Sequence, residues 1–170
     1  MKPLQDKKIT KFLLISFLIS WGLGWGLLAF LTQMNLLSLP SPLGVFLHLL
    51  GGFGPTIAAI YCLPQKSIKS IVSFILGDSK KYIFLFLLLI FVQTGVIAFS
   101  SKEINPAFPL ENLFVIFLSA VCVYGGEEEL GWRGTLQPTL ETRFSFWISS
   151  LITGCIWAVW HVPLWFVIGS

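Results

Sequence analysis

The stretch YGGEEELGWRG, Tyr124 to Gly134, sets three consecutive carboxylates and an arginine in a chain that holds only 8 acidic residues in all. It follows the apolar run LENLFVIFLSAVCV. Further on, IWAVWHVPLWF carries His161 with Trp157 and Trp165 one helical turn to either side. A carboxylate and an imidazole that meet in a low-dielectric notch can activate a water molecule by general-base chemistry, with burial setting the proton affinity of both. Those are the residue types that could do chemistry here.

The three glutamates cannot share one task. At about 100° per residue they fan around some 200° of a helix. Glu129 has Arg133 one turn later, in the favourable acid-then-base order. Glu128 has Gly125 three residues before it and Gly131 three after, so its face is notched where a backbone, a water or a substrate can approach. Glu127 sits between Tyr124 and Leu130 and has no such notch. A helix ending at Glu129 would put three negative charges at its C-terminus, each disfavoured by about 0.3–1 kcal/mol. The helix is therefore expected to continue to about Gln137, just before Pro138. A hairpin folded about Arg143 then sets His161 opposite Gly125, about 4.5 Å along the axis from Glu128. The plain alternatives are a solvated acidic helix end and a histidine that only packs beside tryptophan. The shared level of Glu128 and His161 tells against both.

The elements that must position these residues are membrane helices. The chain is 55% hydrophobic and 11% charged, against about 25% charged in an average soluble domain. Five apolar stretches have about the 20 residues needed to span: Phe12 to Leu31, Leu43 to Leu63, Tyr82 to Phe99, Leu110 to Glu129 and Ser145 to Val167. The expected fold is all-α, a polytopic transmembrane helical bundle of about five membrane helices, in a single membrane domain over residues 1–170. A cytoplasmic N-terminus keeps Lys2, Lys7, Lys8, Lys11, Lys66, Lys69, Lys80, Lys81, Arg133 and Arg143 inside and leaves Lys102 outside. That distribution explains the net charge of +3 without nucleic acid as a partner. The first stretch is too long for a signal peptide and lacks a small-residue cleavage site, so it reads as retained. Cys62, Cys122 and Cys155 lie in separate stretches and read as apolar filler.

Smaller signals organise the bundle. Ile68, Ile71, Val72, Ile75 and Leu76 recur at helical spacing with lysines elsewhere, which predicts a short helix lying on the membrane surface. Gly22 with Gly26, and Ser150 with Gly154, have the small-xxx-small spacing of close helix packing. GGFGPT, Gly51 to Thr56, is expected to bend or break the second helix on a side that faces protein. His48, just before it, reads as a packing residue.

EEELGWRG together with WAVWHVPLWF resembles the CPBP family, the CAAX proteases and bacteriocin-processing proteases, whose signatures are EExxxR on one membrane helix and aromatic-xxx-His on the next. GGFGPTIAAIY is similar to that family's second helix. Glu128, Glu129 and Arg133 match the first signature, and Trp157 with His161 the second; Glu127 lies outside it. The resemblance implies an intramembrane endopeptidase of the cell membrane, multi-pass in the bilayer, acting on a peptide or lipidated protein of CAAX or bacteriocin-leader type. Glu128 and His161 would activate the water, with Glu129, Arg133 and Trp157 in support. Zinc is compatible with the resemblance, but one Glu and one His are too few for a closed zinc site. HExxH, GxSxG and an intramembrane aspartyl pair do not occur.

The family continues for about three more helices, with a second histidine and an Asn or Asp. The chain stops at Ser170 after the fifth span, and a truncated copy is the expectation. On that ground a catalytically inactive membrane scaffold, such as a bacteriocin immunity protein, stands as the alternative function. A piece of a transporter with a Glu–His proton relay is a third.

Overall fold

The computed structural model describes residues 2–76, 119, 123 and 125–169. Every element among them is helical. Three helices are long and apolar enough to cross a membrane: Gln5–Gln33, Pro42–Tyr61 and Phe146–Phe166. They correspond to the first, second and fifth expected spans. The third, Tyr82 to Phe99, lies outside the described residues, as does most of the fourth.

The first span is α1 (Lys2–Phe17), a π-helical segment (Leu18–Gly24) and α2 (Trp25–Gln33) in continuous succession. The π segment packs on α3 (Pro42–Tyr61). Ser41 starts α3 by accepting the Gly44 N–H at 3.1 Å, with Pro42 at the first helical position, where its missing N–H costs nothing.

GGFGPT does not break α3, which runs on through Pro55. Proline leaves the carbonyl four residues earlier without its amide donor, and here that carbonyl, on Gly51, accepts the Ser20 hydroxyl at 2.7 Å. The freed acceptor is thus satisfied by the neighbouring helix, as a membrane interior requires. Gly51, Gly52, Gly54 and Pro55 are all but one-sidedly covered by protein, as the sequence suggested. The close approach involves other glycines than those expected: a Cβ on Gly24 would stand 2.5 Å from Gly51 Cα. Gly22 meets only Leu18 of its own helix, and Gly154 meets nothing within 4 Å among the described residues.

α4 (Ile68–Leu76) is the predicted amphipathic helix. Ile68, Val72 and Ile75 are exposed, whereas Phe74 packs against the core. The motif-bearing helix is α5 (Gly126–Gly131), continued by a π segment (Trp132–Leu136) and α6 (Gln137–Glu141). It runs past Pro138 instead of stopping before it. A turn at residues 142–145 leads into α7 (Phe146–Trp160), so the expected hairpin near Arg143 forms.

The core is built around indole rings. Trp25, Trp132 and Trp160 are buried with Phe12, Ala58, Leu136 and Leu140. Trp25 and Trp160 lie 4.3 Å apart between centroids, and Trp132 meets Trp160 edge-on at 5.3 Å, a geometry favourable to aromatic pairs.

Candidate functional site

Gly125 has φ +108°, a left-handed conformation that suits glycine, and α5 begins immediately after it. Glu127, Glu128 and Glu129 therefore occupy the first turn of a helix. The expected continuation of the helix past the glutamates is seen, but a helix running unbroken into them from the apolar prelude is corrected at Gly125, after which α5 starts; at a helix N-terminus the macrodipole favours negative charge.

The three carboxylates diverge as the helical fan requires. Glu129 pairs with Arg133 at 2.6 Å, the expected i, i+4 ion pair. Glu128 is 7% exposed. Its Oε2 accepts two indole N–H groups, from Trp132 at 2.9 Å and from Trp157 at 3.0 Å. Charge-assisted bonds of this kind are the strong ones, and both fall on one oxygen, leaving Oε1 as an acceptor. At Gly131 the expected notch admits another backbone: a Cβ there would stand 2.4–2.7 Å from Pro55 of α3, so the glycine lets α5 seat against the proline turn.

His161 caps α7 at its C-terminal end, where Pro163 lies in a 3-10 turn (Val162–Phe166). The fifth helix thus ends at Trp160, earlier than the apolar pattern implied. His161 Nδ1 is 2.9 Å from the Trp157 carbonyl. A carbonyl only accepts, so Nδ1 carries a hydrogen, and in the neutral ring Nε2 is the nitrogen left with a lone pair. The ring meets Trp157 edge-on at 4.3 Å, Trp160 edge-on at 4.6 Å, and stacks on Trp25 at 5.5 Å.

Glu128 and His161 are not joined by a hydrogen bond. Trp157 links them: its indole N–H holds the carboxylate and its carbonyl orients the imidazole. A cavity of about 180 Å³ lies beside this link, lined by Trp132, Trp157, Glu129, Arg133 and Thr153 among others. The Thr153 hydroxyl is buried without a hydrogen-bond partner among the described residues.

Two neighbours of these side chains went unread in the sequence. Trp132 stands four residues after Glu128, a spacing that offered a signal, whereas Trp25 meets His161 only through tertiary packing. Among the described residues no group of three His, Cys, Asp or Glu side chains is disposed to hold a metal ion.

Comparison with known proteins bears out the resemblance carried by the two motifs. Residues 110–170 match the family model described as Type II CAAX prenyl endopeptidase Rce1-like. A CAAX prenyl protease 2 of Methanococcus maripaludis is 35% identical over 71 residues, which are 42% of this chain. The aligned part is 26% of that protein, so the chain spans about a quarter of the relative it matches. No solved structure matches. With the three apolar helices, these findings make the chain part of an integral membrane protein.

Proposed function

We propose that the chain is the motif-bearing part of an intramembrane endopeptidase that hydrolyses peptide bonds in membrane-associated substrates, with CAAX-type lipidated C-termini or bacteriocin leaders as the substrate classes. The observation that supports this most strongly is the Trp157 link, which gives a buried carboxylate and an oriented imidazole one shared support. In this reading Glu128 Oε1 takes a proton from the attacking water. His161 Nε2 accepts a hydrogen bond from the same water, which leaves a lone pair of the water oxygen directed at the scissile carbonyl carbon. Oxygen–carbon bond formation follows, and the protonated Glu128 returns its proton to the departing amine. The two indole N–H groups hold the carboxylate in place without neutralising it.

Glu129, Arg133 and Trp157 support the geometry. The N-terminus is proposed to face the cytoplasm, as the distribution of lysines implies.

Purified full-length protein in liposomes, offered a farnesylated CAAX-type peptide and a bacteriocin leader peptide, tests this reading. Cleavage of either, reduced about 10²- to 10⁴-fold by Glu128→Gln, is the expected result. Unimpaired cleavage by that variant would overturn the assignment, and a biological effect that persists without any cleavage would favour the scaffold.

A further inference from the structure

The first apolar helix begins and the second ends at one level, Gln5–Gln33 starting where Pro42–Tyr61 finishes. Between them lies a cavity of about 540 Å³, lined on the α1 side by Lys7, Lys11 and Leu14 and on the α3 side by Tyr61. Lys7, Lys11 and Leu14 are four and three residues apart and share one face of α1. Along that face the wall changes from the two lysines to Leu14, which is exposed, and to Ile15, which packs against the core. Charge at the mouth and apolar surface further in is the profile of a lipid at the edge of the hydrocarbon.

Two cations converge on the tyrosine. The Lys11 ammonium stands 4.5 Å from the centroid of the Tyr61 ring, and the Lys66 ammonium, from the chain beyond α3, stands 4.1 Å from it. Both distances are within cation–π range. Lysines that served only to mark one side of the membrane would reach into water and spread, since like charges repel. Among the described residues no ion pair is formed by Lys7, Lys11 or Lys66, and the acid on the cavity wall, Asp6, is taken by Arg143. Positive charge is therefore gathered at the cavity with no protein anion to balance it.

We propose that this cavity binds one anionic phospholipid, its phosphodiester against Lys11 and Lys66 beside Tyr61 and an acyl chain along Leu14 and Ile15. Basic pockets between membrane helices recognise anionic head groups in this way. A free phosphate would satisfy the lysines and leave the apolar wall bare, so the occupant is a lipid. Bound there, it ties the start of α1 to the end of α3, and the site requires nothing of the peptidase reading.

Native mass spectrometry of purified full-length protein in detergent, titrated with dioleoylphosphatidylglycerol or dioleoylphosphatidylcholine, tests the proposal. One phosphatidylglycerol is expected to bind in preference to phosphatidylcholine. Lys11→Gln and Lys66→Gln are each expected to weaken its binding about fivefold, the worth of one lysine near an anionic surface. Tyr61→Leu, which keeps the charge and removes the ring that gathers it, weakens it as well. Lys8→Gln with Lys69→Gln removes two charges that do not line the cavity, and is expected to change little. Equal affinity for the two lipids would overturn the proposal, as would undiminished binding by Lys11→Gln with Lys66→Gln. An equal loss in the Lys8 and Lys69 pair would overturn it too, since diffuse surface charge acts that way. Displacement of the lipid by millimolar inorganic phosphate would make this a phosphate site and refute the acyl-chain assignment.

Discussion

The crossing of α3 with the first helix and the docking of α7 are two different ways of holding a membrane helix. At the crossing, half of the most apolar window of α3 is buried (50%), and Gly24 lies against Gly51 backbone to backbone. The α7 window is only 22% buried, with Trp147, Leu151, Trp157 and Val159 exposed and Gly154 in open space among the described residues. Among the described residues, what fastens α7 and the turn after it is polar and aromatic: Trp157 on Glu128, Trp21 donating to the Trp160 carbonyl at 2.9 Å, and Gln33 donating to the Phe166 carbonyl at 2.8 Å. In a bilayer the lipid tails are as apolar as leucine, so association rests on close packing or on hydrogen bonds. The molecule uses the first for its frame and the second for the helix that carries His161. A frame built on backbone contact tolerates no added atoms, whereas a helix docked through a few indole bonds is sensitive to single polar deletions.

Four substitutions would break or sharpen that contrast. The largest stability effect is expected from Gly24→Ala, whose Cβ meets Gly51 backbone that cannot yield: a loss of about 1–3 kcal/mol, read as a lower midpoint of thermal unfolding in detergent. Trp157→Phe keeps the ring and removes one of the two indole donors to Glu128, and is expected to destabilise by about 0.5–1.5 kcal/mol while slowing peptide cleavage. Ser20→Ala leaves the Gly51 carbonyl unpaired beneath Pro55, at about 1 kcal/mol; a loss near that of Gly24→Ala would mean the hydroxyl matters as much as the glycine contact. Gly154→Ala is the converse of the first. With nothing to collide with among the described residues, it is expected to stabilise by up to about 1 kcal/mol through helix propensity, and a clear loss would show that other residues pack on α7 there.

Much of this was legible. Three of the five apolar spans, the helix at Ile68–Leu76, the Glu129–Arg133 pair and the turn near Arg143 follow from periodicity and spacing, which are local properties. The start of α5 was not, because the left-handed Gly125 that begins it looks like any glycine in an apolar run. The role of Pro55 was misjudged for a related reason: its cost depends on whether Ser20 of another helix reaches the freed carbonyl. Trp25 has ordinary sequence surroundings, and only tertiary packing sets its ring against both His48 and His161.

The central claim is that Trp157 acts through Glu128. Cleavage of one peptide by Glu128→Gln, Trp157→Phe and the double variant, compared as a cycle, measures it most directly. If the indole N–H serves the carboxylate, the double variant is no slower than Glu128→Gln alone. Rate losses that multiply would show that the two residues act independently, and the link between carboxylate and imidazole would fail.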